Sequence, residues 1–162
     1  DKTIAGAELH KFVPGNYDGI AIVKSSDGEA AALRVTRLAA QVYEDPRSGP
    51  HVVLAEDLEY AFESREIEII VEARAVSDFG ASQYEANYFA RSEGESGWQT
   101  FNLTKDFQTQ SFRFIAPPRG KTEGYDYLGI RPVAPDKRRM MEVRSVRIHA
   151  VGAKTAPAAT PG

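Results

Sequence analysis

Residues 97–118 read Gly-Trp-Gln-Thr-Phe-Asn-Leu-Thr-Lys-Asp-Phe-Gln-Thr-Gln-Ser-Phe-Arg-Phe-Ile-Ala-Pro-Pro. Trp98 and Phe101 lie on one run, and Phe112 and Phe114 on a second that alternates strictly with polar residues. Apolar residues at period two predict half-buried strands, here joined through Leu103-Thr104-Lys105-Asp106-Phe107. Successive side chains on a strand face opposite sides, so Phe112 and Phe114 are expected in a core with Trp98, while Ser111 and Arg113 point the other way. One face builds the interior and the other is free to meet solvent or a ligand.

The same period recurs on both sides of this stretch. In 67–76, Ile67, Ile69, Val71, Ala73 and Ala75 share one face against Glu68, Ile70, Glu72 and Arg74, a pattern suited to the middle of a sheet. In 83–91, Tyr84, Ala86, Tyr88 and Ala90 oppose Gln83, Glu85, Asn87, Phe89 and Arg91. Tyrosines that share a face with alanines predict core rather than platform. Downstream, 125–133 sets Leu128 and Ile130 against Gly129 and Arg131. In the last apolar segment, 140–151, the inward set changes phase from Met141 and Val143 to Val146 and Ile148, as one inserted residue, a β-bulge, would cause.

Upstream, strands are expected at 19–23 and 31–36, joined by a turn at Asp27-Gly28, a strong hairpin signal. Residues 5–11 form a weak first segment, and 38–43 reads as a strand, with a helical turn as the alternative, running into the Pro- and Gly-bearing loop 44–50. Short strands are expected at 51–54 and 58–62. Roughly nine or ten strands without a confident helix predict an all-β, antiparallel β-sandwich of jelly-roll type. A single domain is expected over 1–152, followed by a flexible Ala/Pro/Thr tail or linker at 153–162 that is too small and polar to order itself.

Composition narrows the function. The chain has 162 residues, 42% hydrophobic and 27% charged, as a globular domain does. Its net charge of −3 lacks the basic excess that phosphate backbones require, so no nucleic-acid partner is expected. Apolar runs such as Ile69-Ile70-Val71 fall far short of the ~20 residues that span a bilayer, so no membrane insertion is expected. With no cysteine, disulfides and thiolate chemistry drop out. A first residue of Asp1 rather than Met would follow from removal of a signal peptide or from a cut within a longer chain; the first of the two carries the expectation of a periplasmic or extracellular protein.

Catalytic patterns are weak. Only His10, His51 and His149 could serve a nucleophile, and no Gly-x-Ser-x-Gly elbow accompanies them. Glu68 and Glu72 share a strand face, and a neighbouring Glu85 would make a carboxylate cluster, though charged residues on an exposed sheet face carry the commoner meaning. No transition-metal spacing occurs. Loop carboxylates Asp45, Asp57, Asp78 and Asp126 leave a structural calcium as the one metal open, with turn capping as their commoner role. The run Lys137-Arg138-Arg139 reads as a solvated hairpin loop.

The Ala73-Arg74-Ala75 strand end, Gly97-Trp98 before Phe101-Asn102-Leu103-Thr104, the Phe-x-Phe strand, Asp126-Tyr127-Leu128-Gly129-Ile130 and the closing Val143-Arg144-Ser145-Val146-Arg147-Ile148 together resemble the galactose-binding-domain-like jelly rolls. These include many carbohydrate-binding modules. The resemblance covers about 19–151 and implies sugar binding without chemistry, through a concave face or loops at one end, often beside a structural calcium. It also implies that the single Trp98 serves packing.

Arg74, Asn87, Arg113 and Arg131 each oppose the apolar side of a strand and are the candidate ligand-binding residues, lining one groove if their strands share a sheet. Planar guanidinium and amide groups match sugar hydroxyls and carboxylates, which suits an acidic polysaccharide. Against this stands a solvated face with ion pairs such as Arg74 with Glu85. Loops around Asp45 and Asp126 are the fallback site. The expected function is therefore a non-catalytic binding module for a glycan or polysaccharide; the alternative is a structural or protein-interaction sandwich with a protein partner.

Overall fold

A computed structural model describes residues 2–15, 18–37, 44–54, 62–90, 94–118, 125–133 and 139–151. The expected segments at 38–43 and 58–61, Asp57, Lys137 and Arg138, and the tail at 153–162 lie outside the described residues.

Ten strands are described: β1 (Lys2–Ala5), β2 (Asp18–Lys24), β3 (Ala30–Arg37), β4 (His51–Val53), β5 (Glu66–Ala75), β6 (Gln83–Phe89), β7 (Gln99–Asn102), β8 (Gln108–Ile115), β9 (Tyr127–Val133) and β10 (Met140–Ala150). A six-stranded sheet runs β2-β3-β10-β5-β8, with β1 also on β10; a four-stranded sheet runs β4-β9-β6-β7. Every pairing between these strands is antiparallel. The fold is an all-β sandwich of jelly-roll type.

Alternation sets the core. Leu33, Val35, Ile67, Ile69, Val71, Met141, Val143, Val146 and Ile148 of the larger sheet are buried against Tyr84, Ala86, Tyr88, Leu128 and Ile130 of the smaller. Each such aliphatic side chain contributes roughly 1.5–3 kcal/mol on full burial. Strand β5 lies inside its sheet, between β10 and β8, as its two-sided pattern predicts. The phase change in β10 is a bulge between Val143 and Ser145, where the inserted Arg144 turns outward and both Val143 and Val146 still face in. The Asp27-Gly28 turn joins β2 to β3, and the weak segment 5–11 resolves into the end of β1 and a 3₁₀ turn, Gly6–Lys11, whose Leu9 is buried.

The stretch 97–118 does more than supply two strands. Its halves belong to different sheets, β7 to the smaller and β8 to the larger, so it closes the sandwich along one side. Phe101 of β7 meets Phe112 of β8 at 6.0 Å between ring centroids, and Tyr84 at 5.3 Å. Because β8 is an edge strand, Phe112 and Phe114 pack on the core while remaining half-buried.

Candidate functional site

The four candidate ligand residues divide between the two sheets. Arg74 on β5 and Arg113 on β8 stand on the outer face of the six-stranded sheet; Asn87 on β6 and Arg131 on β9 stand on the outer face of the four-stranded one. Each opposes the apolar side of its strand, but the single groove expected of them does not exist. The expected Arg74–Glu85 pair is replaced by Arg74 with Glu142 at 2.8 Å and Arg131 with Glu85 at 3.0 Å. Glu68 and Glu72 likewise share no sheet with Glu85.

On the four-stranded sheet the outward residues fall into cross-strand rows. Val53, Tyr127 and Phe89 form one; His51, Gly129 and Asn87 the next; Arg131, Glu85 and Thr100 a third; Val133, Gln83 and Asn102 a fourth. Trp98, expected in the core, lies on this outer face. Its ring covers Arg131, with the guanidinium carbon 3.7 Å from the ring centroid, and it stays half-exposed while Arg131 is only 5% exposed. Arg131 is buried without disfavour because the Glu85 carboxylate accepts from its Nε and the indole face receives its charge.

The indole reaches this place because Gly129 has no side chain. A Cβ there would lie 2.5 Å from Pro46 Cβ and 3.2 Å from Trp98 Cη2. Pro46 thus seats the 44–50 loop on the sheet, and the carbonyl of Glu44 accepts from Trp98 Nε1 at 3.0 Å. Asn87, fully buried, fastens the approach to β7: its Nδ2 donates to Glu95 at 3.2 Å and its Oδ1 accepts from Ser96 Oγ at 3.2 Å. Asn87 and Arg131 are therefore supports beneath the surface, and a molecule arriving on this face meets Trp98, Thr100, Gln83 and Asn102 first.

Beyond the Pro46 ridge, Arg47 lies 5.6 Å from both the Phe89 and Tyr127 ring centroids, its other edge forked onto Asp45. That fork holds the Asp45 carboxyl below the usual carboxylate range. His51 stacks edge-on against Tyr127 at 5.6 Å. The face thus presents aromatic rings beside amide, hydroxyl and guanidinium groups.

Two of the loop aspartates, Asp45 and Asp126, are engaged by the protein. Asp126 accepts from the Tyr88 hydroxyl at 2.6 Å and Asp45 is held by Arg47. Among the described residues no three metal-ligating side chains of carboxylate, histidine or cysteine type converge. The outer face of the six-stranded sheet is a lattice of pairs: Glu142 between Arg34 and Arg74, Glu72 with Arg144, and Glu68 with His149 and Arg113. His149 and Arg144 hold the Glu68 and Glu72 carboxyls below their ordinary range. Among the described residues no helix is long and apolar enough to cross a membrane.

No family model matches the chain, and no curated protein sequence matches it significantly. Solved structures match it in fold. It is similar to the CBM22-2 xylan-binding domain of Xyn10C from Paenibacillus barcinonensis, with 11% identity and a TM-score of 0.58 over 86% of this chain and 91% of that one. The CBM22-1 xylan-binding domain of the same protein matches with 11% identity and a TM-score of 0.55, over 96% and 97% of the two chains. A carbohydrate-binding module of Cellvibrio mixtus lichenase 5A, in complex with cellotriose, matches with 11% identity and a TM-score of 0.50, over 93% and 100%. What is shared at such identities is the fold, a jelly-roll sandwich used by carbohydrate-binding modules.

Proposed function

We propose that the protein is a non-catalytic carbohydrate-binding module of an exported protein, and that the outer face of β4-β9-β6-β7 receives a polysaccharide chain. The observation that carries the reading is the half-exposed Trp98, fixed from below by Arg131 and flanked by Thr100, Gln83 and Asn102. An aromatic ring held rigid gives the apolar face of a pyranose a large surface at little entropic cost, and neighbouring amides and hydroxyls match its hydroxyls. Arg131 and Asn87 act as positioning residues, since their burial keeps them behind the aromatic layer. The fold shared with xylan-binding domains supports the same reading.

A protein-docking sandwich would want a contiguous apolar patch. Among the described residues, exposed Val13, Val53 and Tyr125 lie at or beside β4 and the start of β9, whereas exposed Phe79 lies in a loop and Ile115 at the end of β8, so the exposed apolar side chains are divided among three places rather than gathered in one patch.

Trp98 is the one tryptophan, so its fluorescence reports on the site alone. Titration with xylo- and cello-oligosaccharides should shift that emission saturably, and Trp98→Ala should abolish retention on the matching insoluble polysaccharide while circular dichroism stays unchanged. Retention of folded Trp98→Ala at the wild-type level, or failure of the wild type to bind any glycan, would remove the proposal.

A further inference from the structure

The opposite side of the sandwich carries a concavity. A cavity of about 190 Å³ opens on the outer face of the six-stranded sheet, lined by Arg34, Arg74, Lys105, Glu142 and Ser77 among others. Glu142 is its floor. With a side chain 2% exposed, it takes a fork from each arginine: Oε2 accepts from Arg34 Nε at 3.1 Å and Nη2 at 2.6 Å, and Oε1 accepts from Arg74 Nε at 2.9 Å. The Arg74 guanidinium is further held against the Phe107 ring, 4.4 Å from its centroid, and Arg144 covers the same ring at 4.2 Å.

Two arginines are therefore immobilised by one carboxylate. A guanidinium carries five N–H donors, so the Nη1 groups of Arg34 and Arg74 remain for a further acceptor after Glu142 is satisfied. Lys105, exposed on the rim, adds three donors and has no ion-pair partner among the described residues. Three cations against one anion leave the cavity formally at +2, in a protein whose net charge is −3. Preorganised cations with unspent donors favour an anion that can accept bidentately.

We propose that this cavity is an anion subsite that takes the carboxylate of a uronic-acid unit in an acidic glycan. Pockets that enclose drug-sized ligands run to roughly 300–1,000 Å³; at about 190 Å³ this one fits a single charged unit of a chain lying along the sheet. A densely charged polyanion is disfavoured, because Glu66, Glu68 and Glu72 occupy the same strand as Arg74. One carboxylate per sugar spaces the charge so that a single unit enters. The site is on the other sheet from Trp98, so it stands or falls independently of the neutral-glycan surface.

The test is titration of the whole chain with trigalacturonate, with its fully methyl-esterified form, and with acetate at equal carboxylate concentration, followed by NMR shifts or calorimetry. Trigalacturonate should bind, its ester and acetate at least tenfold more weakly. Lys105→Glu, which touches no part of the Glu142 pairs, should weaken trigalacturonate at least tenfold while thermal unfolding is unchanged, and Trp98→Ala should leave that binding intact. Arg34→Gln provides a second probe with its fold checked separately. The proposal is overturned if the wild type does not bind the acid, if ester or acetate binds as well as the acid, if folded Lys105→Glu binds as the wild type does, or if binding is lost in folded Trp98→Ala.

Discussion

Arg131 and Trp98 form a stacked pair in which the guanidinium is the buried partner and the half-buried indole the outer one, 3.7 Å from charge centre to ring centroid. Removing the arginine leaves Glu85 without its ion-pair partner and takes away the cation beneath the indole. Arg131→Ala should cost about 3 kcal/mol, the low end for a broken buried pair because Glu85 retains some water. Arg131→Lys should not fully restore it, since a compact ammonium cannot lay a planar face on the indole while donating to Glu85. Urea unfolding followed by Trp98 emission measures both effects.

Gly129→Ala tests how the 44–50 loop is seated. The added Cβ would need space now held by Pro46, so the loop or the indole must move. Overpacking of this kind costs roughly 1–3 kcal/mol. Trp98 emission should shift to the red, and any glycan affinity at this face should fall with it.

The Tyr84 hydroxyl is buried and has no hydrogen-bond partner among the described residues, and the same desolvation pushes its pKa upward. Leaving a hydroxyl unsatisfied in the interior is unfavourable by about 1–3 kcal/mol. Tyr84→Phe should therefore be neutral or stabilising by up to ~1 kcal/mol. A clear loss of stability in chemical denaturation would contradict this account.

Phe112 and Arg113 should separate, as their faces do. Phe112→Ala opens the aromatic contact with Phe101 that closes the sandwich, and should cost about 3 kcal/mol. Arg113 is 57% exposed, with its nearest carboxylates at 3.8 Å, so Arg113→Ala should stay within roughly 1 kcal/mol. Matched thermal melts decide it.

Acid should weaken the fold through carboxylates held low in the folded state: Glu72 by Arg144, Asp45 by Arg47 and Glu68 by His149. The unfolded chain takes up protons first as pH falls, so the stabilisation is complete above the ordinary carboxylate range, about 4, and is lost as pH drops through the lower folded values. Glu72→Gln should flatten the acid limb of stability against pH. An unchanged limb would assign it to other groups.

Alternation alone sorted the strands into inner and outer residues, because side chains at period two have only two places to go and burying Arg113 in place of Phe112 is strongly unfavourable. Tyr84 and Tyr88 in the core, the interior position of β5 and the bulge in β10 follow from that local rule. Which strands are neighbours does not, because pairing joins residues far apart in the chain. Arg74 and Arg131 look alike in sequence, each a lone cation opposite an apolar stripe, yet Glu142 claims one and Glu85 the other, on separate sheets. Trp98 lies just ahead of β7, where its pattern does not fix a face; only the missing side chain of Gly129 and the guanidinium of Arg131, both brought in from β9, decided that it lies outside the core.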